Sequence, residues 1–251
     1  MPINREKELL FIHVPKTGGT KIEEILGMKY AGDNPDVSGE KLYGLVRINP
    51  HGSLLLDGSV APHDELYELQ HLTHKQILDY KFVDKNLFDR CYKFAFVRNP
   101  FDKVVSEFFW LGYKYFSRFE YFVEFLYKNK AAGNNPSATW GPDVRNSDYF
   151  DSSFDWFLTY CHYKSQHEFI CDEKGNLIID FLGRFEDFQE DLSTLLDYLV
   201  EANRIEEYDK ESLFQKVNST SHKKYTAYYN AKTKNMIKSI YKRDFEIFGY
   251  E

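Results

Sequence analysis

The sequence predicts an α/β fold whose sheet contains parallel strands. Twice along the chain, at 9–28 and at 94–110, an apolar run leads through a polar turn into a helical pattern. Continuous apolar runs of this length suit strands that are buried on both faces, as in a parallel sheet. A length of 251 residues suits one large domain, and no linker-like stretch divides the chain. We therefore expect a single domain over residues 1–251.

The first of these patterns is LLFIHVPKTGGT followed by KIEEILGM. We predict a strand at Leu9–Val14 and a helix from about Gly19 to Met28. A turn between a strand and a helix N-terminus directs backbone N–H groups at one point, where they favour an anion. Lys16 adds a positive charge, the threonines add hydroxyl groups, and the glycines allow close approach. The candidate anion contacts are Lys16, Thr17, Gly18, Gly19 and Thr20.

The second pattern is CYKFAFVRNPFDKVVSEFFW. We predict a strand through Phe94–Val97 with Arg98 at its carboxyl end. Asn99 is a suitable N-cap and Pro100 a suitable first helical residue. Ser106 lies two turns into the helix, on a different face from its apolar stripe. Ligands of open α/β sheets bind at the carboxyl ends of the strands, so the two patterns suggest one shared cleft.

The remaining chain predicts further helices and a hairpin. We expect a helix over 75–80 capped by Thr73, an aromatic-rich helix over 111–130 and a helix over 185–200. A hairpin is predicted over 167–184 with its turn at 173–176, and a last helix over 234–248 ends at Gly249. Residues 30–64 have the composition of loops with one or two short strands, and residues 131–153 that of a single loop. The length of the 131–153 loop makes it a candidate for a substrate lid, with plain disorder as the alternative.

Composition excludes several functional classes. The formal net charge of −7 and the lack of a basic block argue against nucleic acid as the main partner. Cys91, Cys161 and Cys171 are odd in number and have no CxxC spacing, which favours reduced thiols. No metal-binding signature is present. The N-terminus lacks a signal-peptide pattern, and no apolar run could span a membrane. We expect a cytoplasmic protein, with a shortened Golgi-type chain as the alternative.

Four stretches in order resemble the sulfotransferase superfamily: FIHVPKTGGT, KFAFVRNPFDKVVSEF, FLGRFE and NSTSHKKYTAYYN…IKSIYKRDFEIFGY. The nearest likeness is the carbohydrate branch that contains heparan 2-O-sulfating enzymes and bacterial relatives. The resemblance spans nearly the whole chain. It implies a three-layer, P-loop-like sulfotransferase fold with a mainly parallel sheet between helices. It also implies 3′-phosphoadenosine 5′-phosphosulfate (PAPS) as donor, its bisphosphate (PAP) as product, and no metal.

The resemblance also implies roles for individual residues. PKTGGT matches the family's 5′-phosphosulfate loop, and Arg98 with Ser106 matches its 3′-phosphate pair. Arg184, Lys223 and Lys224 fall in stretches that close over the nucleotide in relatives. His71 best matches the catalytic base, with His74 as the runner-up. Lys16 would stabilise the leaving group during in-line transfer to a hydroxyl, with a carbohydrate as the expected acceptor.

Two other classes remain as alternatives. A P-loop nucleotide kinase or NTPase would carry GxxxxGK[ST], but here the lysine precedes the glycines and no Walker-B-type Asp is evident. A non-catalytic glycan- or nucleotide-binding module could share the fold, although the joint presence of Lys16, Arg98, Ser106 and a candidate histidine argues against it. The identity of the acceptor and the oligomeric state stay open.

Overall fold

The structure is a computed structural model that describes residues 2–28, 45–47, 66–79, 82–110, 112–114, 116–131, 162–214 and 222–251. The chain divides into two compact units. The first unit is Met1–Val97 with Gln166–Asn218, and the second unit is Arg98–Ser165 with Ser219–Glu251. The predicted loops at 30–64 and 131–153 lie almost entirely outside the described residues. The single domain over residues 1–251 stays a prediction.

The elements follow one another in α/β order. The strands of the described residues are β1 (Ile3–Asn4), β2 (Leu9–Phe11), β3 (Leu45–Arg47), β4 (Leu66–Glu68), β5 (Tyr92–Val97) and β6 (Phe181–Arg184). The helices are α1 (Gly19–Ile25), α2 (His74–Asp79), α3 (Lys85–Arg90), α4 (Pro100–Trp110), α5 (Phe119–Ala131), α6 (His167–Ile170), α7 (Phe188–Glu201), α8 (Ala231–Ile240) and α9 (Lys242–Phe248). Short 3₁₀ turns include Leu69–His71, Phe185–Asp187 and Tyr225–Ala227.

A four-stranded mixed sheet with the order β1-β2-β5-β6 is the centre of the first unit. β2 pairs with β5 in parallel, with Phe11 opposite Phe94, and β5 pairs with β6 in parallel, with Val97 opposite Arg184. β1 is antiparallel to β2 at the edge. The predicted α/β fold with a mainly parallel sheet and flanking helices is therefore confirmed. The parallel strands β2, β5 and β6 all end at the same edge of the sheet.

Both faces of β2 are buried, which explains why its sequence does not alternate. Leu9 and Phe11 belong to a core cluster with Ile22 of α1 and four leucines of α7. Leu10 and Ile12, on the other face, are also fully buried. Removing each such side chain from water stabilises the fold by about 1.5–3 kcal/mol. The sheet edge that carries the site therefore rests on a rigid support.

An aromatic cluster forms the core of the second unit. The predicted apolar stripe of α4 is buried in it and packs with Phe119 and Phe122 of α5 and Ile237 of α8. The start of α4 also has the predicted capping, because Asn99 Oδ1 accepts from the N–H of Phe101 at 2.9 Å. Much of the chain's high aromatic content is used in this packing.

Three sequence predictions of local structure are wrong. The helix expected over 111–130 begins only at Phe119, because Gly112 lies against the rings of Phe108 and Phe122 in a separate 3₁₀ turn. The first strand expected in the hairpin is the single-turn helix α6, although Cys171 and Leu177 do pair around the predicted turn. The last helix is broken at Tyr241 into α8 and α9, and it does end at Gly249.

Candidate active site

The turn after β2 is held in an unusual backbone conformation. Lys16 and Gly18 have left-handed φ angles of 66° and 87°, and α1 begins at the next residue, Gly19. The Thr17 hydroxyl donates to the backbone oxygen of Val14 at 2.8 Å and is fully buried. The hydroxyl hydrogen of Thr17 is therefore used inside the turn, and the predicted contact of Thr17 with a ligand would be made by its backbone N–H. Among the described residues, no side chain caps the N-terminus of α1.

The two glycines of the turn are packed against rings. A Cβ at Gly18 would lie 2.5 Å from the ring of Phe188 at the start of α7, and one at Gly19 would lie 2.0 Å from Nε2 of His13. Neither distance is possible for a real Cβ. The structure therefore gives these glycines a packing role, while their predicted role of admitting a ligand stays a prediction.

His71 lies beside this turn. It ends the 3₁₀ turn that follows β4, it is buried, and its Nδ1 is 2.9 Å from the backbone oxygen of His13. Because a carbonyl oxygen can only accept, Nδ1 carries the hydrogen, and the lone pair of a neutral ring is on Nε2. The rings of His71 and His13 meet edge to face at 4.4 Å. The imidazole thus has one defined tautomer, next to the segment that joins β2 to the Lys16 turn.

His74, the other candidate base, has different surroundings. It begins α2, and its Nδ1 donates to the backbone oxygen of Phe169 in α6 at 3.1 Å. Burial lowers the pKa of His74, partly opposed by this hydrogen bond. Thr73 caps α2 as predicted, since its Oγ1 accepts from the N–H of Gln76 at 3.2 Å. This hydrogen bond joins His74 to α6 and not to the turn.

This region also contains a buried carboxylate that was not predicted from the sequence. Glu23 of α1 is only 1% exposed, and its Oε1 is 2.6 Å from Nδ1 of His13. Gln70 Nε2 donates to both of its oxygens, at 3.0 and 2.8 Å. Burial raises the pKa of Glu23, but the hydrogen bond and charge of His13 and the amide of Gln70 outweigh it, so the pKa is lowered. No local pattern distinguishes Glu23 from its exposed neighbour Glu24.

Arg184 ends β6 at the same edge of the sheet. Its backbone N–H donates to Asp191 Oδ2 of α7 at 2.6 Å, which fixes the entry into that helix. Phe188, four residues later, places its ring against Gly18. Within the first unit, the structure thus brings together the lysine-bearing turn, His71 and the segment after β6.

Arg98 follows β5 in the chain and lies in the second unit with Ser106. Its Nε and Nη2 lie 2.9 and 2.8 Å from Oδ2 of Asp102, one turn along α4. Ser106 lies one turn beyond Asp102 in the same helix. Arg98 and Ser106 are both buried. The joint role of Arg98 and Ser106 on a 3′-phosphate stays a prediction.

Lys223 and Lys224 are exposed residues of the second unit. The backbone N–H of Lys223 donates to the Tyr228 hydroxyl at 3.0 Å, and Lys224 precedes the 3₁₀ turn Tyr225–Ala227. Both side chains stand at the surface. Their contact with a nucleotide, and the shared cleft expected from the sequence, stay predictions.

The second unit also contains a buried ionic cluster that the sequence did not reveal. Lys103 and Glu107 of α4 are paired at 3.2 Å, and His162 Nδ1 is 3.2 Å from the other oxygen of Glu107. The backbone oxygen of His162 accepts from Lys103 Nζ, and Trp110 stacks on the imidazole at 4.4 Å. The i, i+4 spacing of Lys103 and Glu107 is visible in the sequence, but their burial is not.

Metal and membrane features can be judged only for the part of the chain that the structure describes. There, no group of three or more His, Cys, Asp or Glu side chains is placed to hold a metal ion. Likewise, no described helix is long and apolar enough to cross a bilayer.

The fold defines an α/β protein with a lysine-bearing turn at the carboxyl edge of its sheet. The family model described as the Sulfotransferase family matches residues 1–251. The chain therefore belongs to the Sulfotransferase family, a class of enzymes that transfer sulfuryl groups. No curated protein and no solved structure shows a significant match. The predicted recognition at superfamily level is confirmed, while the heparan 2-O-sulfating branch stays a prediction.

Proposed function

We propose that this chain transfers a sulfuryl group from PAPS to a hydroxyl of a carbohydrate acceptor and releases PAP. The observation that carries the proposal is the placement of His71. Its imidazole has a fixed tautomer, and it lies against the strand that leads into the Lys16 turn. Membership of the Sulfotransferase family supplies the reaction class.

We propose separate contacts for the two anionic ends of the donor. Lys16, with the turn through Thr20, would hold the 5′-phosphosulfate, because it combines a positive charge with first-turn N–H groups that no described side chain caps. Arg98 and Ser106 would hold the 3′-phosphate, with the planar guanidinium fork matching a dianion. Arg184, Lys223 and Lys224 are proposed as further nucleotide contacts.

The chemistry needs a base and a stabilised leaving group. His71 Nε2 takes the proton of the acceptor hydroxyl as its oxygen attacks sulfur, and the bond from sulfur to the bridging phosphate oxygen breaks. Lys16 stabilises the negative charge that develops on that bridging oxygen. Since the transferred group itself carries little charge, these side chains can serve the reaction without a metal.

His71 is favoured over His74 as the base by its position. His71 donates to the backbone of His13, in the segment that joins β2 to the Lys16 turn, whereas His74 donates to Phe169 of α6. His71→Ala is expected to reduce turnover by about 10²–10⁴-fold. Normal turnover in that variant would transfer the assignment to His74.

Donor class can be tested by thermal shift with two ligands. We expect stabilisation by PAP without added metal and little response to ATP with Mg²⁺. A response to ATP with Mg²⁺ alone would support a kinase or NTPase instead.

Activity can then be tested with radiolabelled PAPS and a panel of neutral glycans, acidic glycans and simple alcohols. Lys16→Ala should lower transfer by at least about 10²-fold while leaving the folded protein intact. A nearly active variant would remove Lys16 from the mechanism. Tight PAP binding with no transfer to any acceptor would favour a non-catalytic binding module.

A further inference from the structure

The carboxylate of Glu23 has no part in the chemistry proposed above, although burying it is costly. A buried charge is retained only where it is paired and hydrogen-bonded. Glu23 has two such partners: His13 at 2.6 Å and Gln70 at 3.0 and 2.8 Å. His13 lies in the segment just after β2, and Gln70 lies in the 3₁₀ turn after β4. One side chain of α1 therefore ties together two segments that are far apart in sequence.

The two partners of Glu23 lie at opposite ends of the hydrogen bond that orients His71. His13 supplies the backbone oxygen that accepts from His71 Nδ1 at 2.9 Å. Gln70 is the residue immediately before His71 in the 3₁₀ turn. The His13 ring also packs against His71 at 4.4 Å. If the Glu23 carboxylate is lost, both the acceptor and the donor segments of that bond lose an anchor.

We infer that Glu23 is a positioning residue that holds His71 in the Nδ1–H tautomer, with Nε2 presented as the base. This inference rests on the proposed function, because it takes His71 as the proton acceptor. Glu23 acts through His13 and Gln70 and does not contact the reacting atoms. Through these contacts, the orientation of His71 depends on α1, the helix that follows the Lys16 turn.

The first test is a double-mutant cycle between Glu23→Gln and His71→Ala. Glu23→Gln alone should lower kcat by about ten- to a hundredfold, while PAP affinity changes less than about twofold. In the His71→Ala background, the same substitution should cost almost nothing, because its effect passes through His71. An equal loss in both backgrounds would overturn the inference and indicate a general structural role. Glu24→Gln, an exposed neighbour with the same change of charge, is the matched control and should retain full turnover.

The second test does not depend on activity. Proton–nitrogen NMR correlations of the imidazole rings should show His71 as the Nδ1–H tautomer in the wild type and as a tautomer mixture in Glu23→Gln. An unchanged His71 signal in a folded Glu23→Gln protein would overturn the inference. If the wild type instead transfers no sulfuryl group, the proposed function fails, and the tautomer result still reports on Glu23.

A milder variant covers the case in which Glu23→Gln does not fold. Gln70→Met removes one partner and leaves the bond between Glu23 and His13. It should lower kcat by about three- to tenfold and loosen the His71 tautomer in the same direction. Full turnover with an unchanged tautomer in Gln70→Met would also count against the inference.

Discussion

Gly19→Ala should destabilise the protein by driving a methyl group into the ring of His13. The new Cβ would lie 2.0 Å from Nε2 and 2.2 Å from Cδ2, whereas ordinary contacts begin near 3.4 Å. The ring would have to retreat by more than about 1 Å. It is held by Glu23 at 2.6 Å and stacked on Phe11 at 5.1 Å, so the movement would break a buried hydrogen bond.

The expected magnitude follows from three terms. Overpacking in a filled region costs about 1–3 kcal/mol, and loss of a charge-assisted hydrogen bond costs about 1.5–3 kcal/mol if the ring moves fully. Alanine regains up to about 1 kcal/mol of helix propensity. Since the first two terms are alternative ways to relieve one clash, only one of them counts, and the gain in helix propensity is subtracted from it. We expect a net loss of about 1–2 kcal/mol. For a chain of this size that corresponds to a fall in Tm of about 2–8 °C.

The assay is chemical denaturation of four proteins: wild type, Gly19→Ala, His13→Ala and the double variant. In the His13→Ala background, Gly19→Ala should be close to neutral because the ring is gone. Gly27→Ala is the matched control, since it has open space but a φ of 62°. Its cost of about 1–2 kcal/mol should not depend on His13. A Gly19→Ala penalty that persists in full without the His13 ring would refute the steric explanation.

Three further predictions concern charge and reactivity. Arg98→Lys should weaken PAP binding about tenfold by calorimetry, because an ammonium cannot reproduce the guanidinium fork; equal affinity would remove Arg98 from the site. Because the pKa of Glu23 is lowered in the folded protein, its ionised carboxylate stabilises the fold fully above about pH 4.5, the ordinary pKa of this group. This stabilisation is lost as the pH falls through the lower pKa of the folded state. The stability gap between wild type and Glu23→Gln, measured by denaturation at several pH values, should therefore close in acid; a gap that persists would contradict this. Burial, opposed by Lys93, raises the pKa of Cys91 to about 11, so peptide mapping should find it labelled slowly by thiol reagents at pH 8 and rapidly in denaturant; rapid native labelling would show that the thiol is accessible.

Local signals in the sequence were sufficient for the elements that position the site. The uninterrupted apolar runs identified β2 and β5, because strands buried on both faces have no polar alternation. Asn99 and Pro100 located the start of α4, since capping depends on neighbours within a few residues. Gly249, with a φ of 68°, located the end of the last helix in the same way. Family motifs then identified the class of enzyme.

The buried polar contacts beside the turn were not predictable from the sequence, because they join distant positions. Glu23 meets His13 ten residues away and Gln70 forty-seven residues away, and no periodicity encodes either pair. The same holds for His162, which meets Glu107 across fifty-five positions. The wrong prediction of a strand at 167–171 has a related cause. A short apolar run fits either a strand or one turn of helix, and tertiary packing decides between them.

Because Gly18 and Phe188 are in contact, substitutions at the two positions are linked, but the link is not symmetric. Phe188 can be replaced by a smaller residue with some loss of packing, because its side chain is only partly buried. Gly18 cannot enlarge in compensation, because its φ of 87° disfavours any side chain even after the ring is gone. A smaller side chain at position 188 therefore does not make position 18 tolerant of residues other than glycine. Over evolutionary time, we expect position 188 to vary among family members while position 18 remains glycine.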